Sequence, residues 1–173
     1  DAGAYDQKDA AGFIKLNAVT SGVADIKRVI ADAQNPLLTP AGRVVLFIDE
    51  IHRFNKAQQD ALLPQVEDGT IILIGATTEN PFFEVNKALI SRSTVFQLQP
   101  LTEDEIRRIL VQALENKSRG LGSYRIRLDD QVLDILSNIS NGDARIALNA
   151  LELAVITTSP QADGSIRIDR DII

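Results

Sequence analysis

Two unbroken apolar runs, VVLFI at residues 44–48 and IILI at residues 71–74, constrain the fold more than anything else in the chain. Neither alternates apolar with polar residues, and both are rich in β-branched side chains. That is how strands covered on both faces of a parallel sheet read. Two further short apolar runs, at residues 13–16 and 95–98, are candidate strands as well. Helix-like segments lie between. Residues 25–33 place Ile26, Val29 and Ile30 on one face. Residues 56–66 carry Ala57, Ala61, Leu62 and Val66 in an amphipathic pattern interrupted by Pro64. Residues 35–42, with two prolines, read as a loop. Strands alternating with helices predict an α/β fold built on a parallel sheet.

The pattern changes after Pro100. The stretch TEDE at residues 102–105 is a capping box, with Glu105 at the third helical position. Ile106, Ile109, Leu110, Ala113 and Leu114 follow at helical spacing. The loop SRGLGSYRIR separates this helix from a second, expected from about Asp129, whose face is Val132, Leu133, Leu136 and Ile139. Asn141-Gly142 stops it, and Asp143 can cap a third helix carrying Ala147, Leu148, Leu151 and Val155. The expected organisation is an α/β part over residues 1–100 and a small helical part over residues 101–173. The tail SIRIDRDII starts another element or ends the unit.

Composition narrows the function classes. A formal net charge of −6 argues against a basic nucleic-acid wrapper, while leaving room for a local basic patch. There is no cysteine, so neither a disulfide framework nor a thiolate metal site is available. No run reaches the roughly 18 apolar residues of a membrane span, and no signal peptide opens the chain. A cytoplasmic protein without a membrane partner is expected. The first residue is Asp rather than Met, and DAGAYDQKDAAG reads as neither a start nor a cap, so a fragment is expected.

Four stretches carry candidate chemistry. The first is the pair Asp49-Glu50, delivered by the run at residues 44–48 to the end of a strand, where α/β sheets bind ligands. Asp49 could hold Mg²⁺ and Glu50 could deprotonate a water; alternatively Asp49 caps a turn and Glu50 is simply solvated. The second is IILIGATTENP, where the hydroxyl of Thr77 or Thr78 could meet a phosphate or an attacking water, or make an ordinary turn. The third is ALISRSTVFQL, in which the Arg92 guanidinium suits a phosphate in a neighbouring subunit, or merely pairs with a helix end. The fourth is GDARIALNALE. Arg145 lies in the first turn of a helix, against the dipole, so an external anion or a neighbouring carboxylate is its expected partner. His52 is the only histidine, and with no cysteine it cannot build a zinc site. A structural or supporting role is expected for it.

Taken together and in this order, these stretches resemble the AAA+ ATPases, and among them the RarA/MgsA group of replication-associated ATPases related to the Werner-helicase-interacting protein. The carrying residues are LNAVTSGVADI, LFIDEIHRFNKAQQDALLPQVEDGTI, IGATTENPFFEVNKALISR, RGLG and NGDARIALNALELA, over residues 13–157. Clamp-loader subunits and the Holliday-junction motor RuvB share parts of this run but not the whole. The resemblance implies a P-loop-type sheet followed by a helical lid, with ATP and Mg²⁺ as cofactors. It assigns Asp49 and Glu50 to Walker B, Asp49 for Mg²⁺ and Glu50 as catalytic base. Thr78 becomes sensor 1, with Thr77 the alternative by one residue. Arg92 becomes an arginine finger acting in trans, Arg145 becomes sensor 2, and Asn17 becomes the polar residue that switches the catalytic Glu. It also implies fork DNA, single-strand-binding protein and further copies of the chain as partners, in a nucleoid-associated cytoplasmic setting.

One departure is large. The Walker A loop GxxxxGK[ST], expected ahead of the strand at residues 13–16, is absent from the sequence. The strand that carries it lies, in that topology, between those expected at residues 71–74 and 95–98. Both neighbours would then show unpaired edges, and the chain alone would bind ATP weakly or not at all. Two rival readings stand beside this one. A DExH-type helicase fits Asp49-Glu50-Ile51-His52 but lacks its companion GKT, SAT and QRxGR motifs. A clamp-loader-like subunit that assembles without hydrolysing is the other, opposed by the retention of Asp49, Glu50 and Arg92.

Overall fold

The structure, a computed structural model, describes residues 12–39 and 42–172. Residues 1–11, and Pro40 and Ala41 of the expected loop, lie outside the described residues. The chain divides into two compact units between Phe96 and Gln97.

The first unit is a parallel sheet of three strands, β1 (Gly12–Asn17), β2 (Val44–Asp49) and β3 (Ile71–Gly75), in the order β1-β2-β3. Along β2, Val44, Leu46 and Ile48 are buried, while Val45 and Phe47 are half-covered. The buried set packs with Leu16, Ile71 and with Ile26 and Val29 of helix α1 (Val23–Ala33). Each fully buried Leu or Ile contributes about 1.5–3 kcal/mol. On the other face Lys15 Nζ sits 5.5 Å from the Phe47 ring centroid, so an aliphatic stem and a cation cover the aromatic there. Coverage of both faces is incomplete on β3, where Ile72 and Ile74 are 45% and 47% exposed.

The expected helix at residues 56–66 is two helices, α2 (Lys56–Asp60) and α3 (Leu63–Glu67). Pro64 falls in the first turn of α3, where its missing N–H leaves no hydrogen bond broken. The break therefore comes before the proline, at Ala61-Leu62. Two short helices that periodicity does not reveal follow β3: α4 (Pro81–Glu84) and α5 (Lys87–Ile90). Each is capped by an asparagine side chain, Asn80 accepting from the Phe82 N–H and Asn86 from the Ala88 N–H, both at 3.0 Å.

Residues 95–98 are not a strand. Phe96 and Leu98 are 81% and 89% exposed, and residues 94–100 have no regular structure. A strand needs a ladder partner for its N–H and C=O groups. Among the described residues β3 is the sheet's last strand and pairs on one side only.

The second unit holds three helices: α6 (Glu103–Glu115), α7 (Asp130–Ile139) and α8 (Ala144–Thr157). Ile106, Leu110, Val132, Leu136, Ala147 and Leu151 make its core. The capping box at Thr102 forms as read: the Glu105 N–H donates to Thr102 Oγ1, and the Thr102 N–H donates to Glu105 Oε2 at 2.8 Å. Ile139, expected on the buried face of α7, is the last helical residue and 48% exposed. The segment read as a loop up to residue 127 contains β4 (Ile126–Leu128), which pairs in parallel with β5 (Ile166–Ile168) from the tail. Ile166 and Ile168 are buried while Arg167 between them is exposed, the alternation of a one-sided strand. Gly142, at φ 81°, closes α7, and a Cβ there would stand 2.7 Å from Pro100 Cβ. Only glycine fits that approach.

Candidate functional site

The register of the first unit's sheet sets Asn17 level with Asp49, and Ile48 level with Gly75. All three strands thus end at one edge, and backbone bonds tie those ends together. The Ala18 N–H donates to the Asp49 carbonyl and the Ala76 N–H to the Ile48 carbonyl, each at 2.9 Å. The Ile51 N–H donates to the Ala76 carbonyl at 3.0 Å. This is the crevice end of an open α/β sheet, where strand carboxyl ends present side chains to ligands.

Glu50 is the pivot. It adopts φ 55°, ψ 44°, in the left-handed region, which costs a non-glycine residue of order 1 kcal/mol or more. The chain then folds back as a single 3-10 turn, Ile51–Arg53. Ile51 of that turn is buried against Gly75, where an added Cβ would lie 3.1 Å from Ile51 Cδ1. The turn returns His52 towards the carboxylate that precedes it. His52 Nδ1 lies 3.3 Å from Glu50 Oε2 and 2.9 Å from Thr77 Oγ1. The Thr78 hydroxyl makes a long bond of 3.4 Å to the same Glu50 Oε2. Thr77 Oγ1 in turn accepts the Glu79 N–H at 3.0 Å. Val19, Glu50, His52, Arg53, Thr78 and Glu79 line an open depression here.

The sequence-predicted residues fall into three groups. Asp49, Glu50, Thr77, Thr78 and Asn17 converge on the one sheet edge. The Asp49 side chain is half-buried and makes no hydrogen bond among the described residues. Asn17 spends its Oδ1 on the Val19 N–H at 2.9 Å and makes no bond to Glu50. Arg92 follows α5 in the same unit, where its Nη2 pairs with Glu67 Oε1 at 2.7 Å and its Nη1 donates to the Ala88 carbonyl at 2.9 Å. Arg145 belongs to the second unit. Its N–H donates to the Asp143 carboxylate, the N-cap of α8, at 2.9 Å, and its Nη2 to Asp143 Oδ2 at 3.1 Å. The guanidinium hydrogen bond and that backbone N–H hold the Asp143 carboxyl below its ordinary range. Of the two partners expected for Arg145, the neighbouring carboxylate is the one the structure shows. His52 is the residue whose place in the site sequence reasoning missed. Only the reversal of the chain at Glu50 brings it there, and no residue pattern announces a left-handed Glu.

No cluster of three or more His, Asp or Glu side chains suited to a metal occurs among the described residues. That is compatible with Mg²⁺, which takes one or two carboxylates and completes its shell with waters and phosphate oxygens. The Asp49 carboxylate, with no competing donor, suits that demand.

Comparison with known proteins follows the same division of the chain. Residues 7–101 match the family model for the ATPase family associated with various cellular activities (AAA), and residues 122–173 match the AAA C-terminal domain. The replication-associated recombination protein A of Haemophilus influenzae is 49% identical over 92% of this chain and 35% of its own length. The Bacillus subtilis protein of that name is 47% identical over 90% of this chain and 36% of its own. ATPase WRNIP1 of Dictyostelium discoideum is 49% identical over 81% of this chain and 16% of its own length. The chain thus spans about a third of the bacterial relatives. Among solved structures, the Thermotoga maritima RuvB Holliday junction branch migration motor superposes with a TM-score of 0.67 at 26% identity. That match covers 93% of this chain and 50% of RuvB. With over half its length matched by the family model, and with a parallel sheet and helical C-terminal unit like those of its structural neighbours, this chain belongs to the AAA family of ATPases.

Proposed function

We propose that this chain supplies the hydrolytic part of an oligomeric ATPase that couples ATP turnover to remodelling of DNA or protein–DNA complexes during replication and recombination-associated repair. The observation that carries this reading is the Glu50 carboxylate. It stands beside Asp49 at the crevice edge of a parallel sheet, in a left-handed conformation, with its Oε2 facing the Thr78 hydroxyl. A solvated surface glutamate needs none of these constraints. Asp49 holds Mg²⁺, which neutralises phosphate charge when nucleotide is bound. Glu50 accepts the proton of the attacking water, and Thr78, or Thr77 beside it, orients that water or the terminal phosphate. Asn17, level with Asp49, acts on Glu50 after a change of rotamer that frees it from the Val19 N–H.

Arg92 acts in trans on the nucleotide of a neighbouring copy, and leaves Glu67 to do so. Arg145 reaches from the lid to the terminal phosphate as sensor 2. The names of the relatives support DNA as the partner, with single-strand-binding protein and a cytoplasmic setting as further expectations. The phosphate cradle is the part this sequence does not carry, so the 173-residue chain alone hydrolyses ATP no faster than background.

The trans role is tested in a chain extended by a GxxxxGK[ST] strand ahead of Gly12. Arg92→Ala should abolish hydrolysis and spare nucleotide binding, and mixing it with Glu50→Gln subunits should restore part of the activity. Loss of binding within one subunit would overturn the trans assignment.

A further inference from the structure

The proposed chemistry leaves His52 unused, yet it is the side chain most closely engaged with Glu50. Its ring is largely buried, 12% exposed, and its Nδ1 faces two oxygens at once: Thr77 Oγ1 at 2.9 Å and Glu50 Oε2 at 3.3 Å. A neutral imidazole nitrogen is either a donor or an acceptor. Were Nδ1 the bare acceptor, its lone pair would lie 3.3 Å from a carboxylate oxygen that can only accept, which is repulsive. With the proton on Nδ1, the N–H donates to Thr77 Oγ1 and its positive end stands 3.3 Å from Glu50 Oε2, an attractive contact. Thr77 Oγ1 then accepts from Nδ1–H and from the Glu79 N–H. The Thr77 hydroxyl hydrogen is then left for the Glu79 carbonyl, 3.5 Å away. The Thr77 contact suits either tautomer, and the neighbouring Glu50 carboxylate favours the Nδ1–H form.

The two groups that reach the Glu50 carboxylate converge on one atom. His52 Nδ1 and Thr78 Oγ1 both address Oε2, at 3.3 and 3.4 Å, and no donor among the described residues addresses Oε1. We propose that His52 is a positioning residue for Glu50: the Nδ1–H dipole, anchored on Thr77 and 3.3 Å from Oε2, attracts that oxygen, biases the carboxylate's rotation, and leaves Oε1 for the water to be deprotonated. This deepens, and rests on, the reading of Glu50 as the base. It also explains how a strained left-handed Glu is kept in one orientation, since such residues persist where their surroundings over-determine them. Through Thr77 the same imidazole ties the base to the end of β3, so a displacement at Thr77-Thr78 would be passed to the carboxylate.

Because His52 is the chain's only histidine, its ring nitrogens are identified without assignment. Long-range proton–nitrogen correlation on the ¹⁵N-labelled chain, at pH about 8.5 and so above the ordinary imidazole range, reads the tautomer. The expected spectrum has a pyrrole-like Nδ1 and a pyridine-like Nε2, the reverse of the form favoured by free histidine in water. A pyridine-like Nδ1 would overturn the proposal while leaving the base role of Glu50 untouched. In the chain extended by a GxxxxGK[ST] strand, His52→Ala and His52→Gln should lower kcat roughly 10- to 100-fold with KM little changed. His52→Asn, whose amide nitrogen occupies the Nδ1 position, should recover most of that loss. Asn no better than Ala, or Ala within about twofold of wild type, would overturn the proposal. Wild-type hydrolysis by Glu50→Gln would instead overturn the base reading, whatever the tautomer.

Discussion

Gln59 makes a quantitative demand on the structure. It lies in α2, is 0% exposed, and is one of few buried polar side chains in the first unit. Its Nε2 donates to the Phe54 carbonyl at 2.8 Å, and its Oε1 accepts the Asn86 N–H at 2.7 Å. A third contact, Nε2 to the Glu84 carbonyl, is long at 3.4 Å, and that carbonyl also receives Lys56 Nζ at 2.9 Å. Gln59 therefore fastens the turn after Glu50 to Asn86, the cap of the helix that precedes Arg92. Gln59→Leu keeps the shape and strands two backbone groups, the Phe54 carbonyl and the Asn86 N–H. Each stranded group costs about 1–3 kcal/mol, and the added apolar burial returns about 1 kcal/mol. The net loss should be about 3 kcal/mol, within a range of about 1–5, or roughly 150-fold faster amide exchange where exchange requires opening of the unit. Native-state hydrogen exchange checks this on Leu46 and Ile48 of β2, with Leu151 of α8 as an internal control. Exchange at β2 changed by less than about threefold, or accelerated equally at Leu151, would refute the reasoning.

Two smaller predictions follow from the ion pairs and caps. The Arg92–Glu67 pair is about half exposed on both sides, so Glu67→Ala should cost less than about 1 kcal/mol in urea unfolding and less still in high salt; a loss above about 2 kcal/mol would mean a buried role for that pair. The Thr102 N–H and hydroxyl hold the Glu105 carboxyl below its ordinary range. Its folded pKa is thus lower than its unfolded one, and the stabilisation is present above the unfolded value and lost as pH falls through the folded one. Exchange protection of the Ile106 amide should weaken on acidification from the ordinary carboxylate range downward, and Glu105→Gln should flatten that dependence; an unchanged slope would contradict the cap's role.

The sequence was most informative where one local rule decided the outcome. Short apolar runs marked β1, β2 and β3, the last two continuous and β-branched, and the Thr102–Glu105 box marked the start of α6, because a capping box is a contact between residues three apart. Failure came where a partner far along the chain decides. Residues 95–98 have the composition of a strand, but composition cannot supply a neighbour for the ladder. Ile126 to Leu128 and Ile166 to Ile168 are short strands only because they meet each other across the intervening helices. At the site, the residues on strand ends were legible and their convergence followed from a parallel register. The pairings of Arg92 with Glu67 and of His52 with Glu50 and Thr77 were not, since they depend on where two short asparagine-capped helices and one left-handed residue turn the chain.

Asp49 and Glu50 are proposed as the hydrolytic edge of an AAA ATP site. The most direct measurement is steady-state phosphate release, with nucleotide binding followed in parallel, from the chain extended by a GxxxxGK[ST] strand, comparing wild type with Glu50→Gln. The expected result is hydrolysis lowered by about 10²- to 10⁴-fold, the usual worth of a positioned general base, with ATP binding retained. Hydrolysis by Glu50→Gln at the wild-type rate, with binding intact, would contradict it.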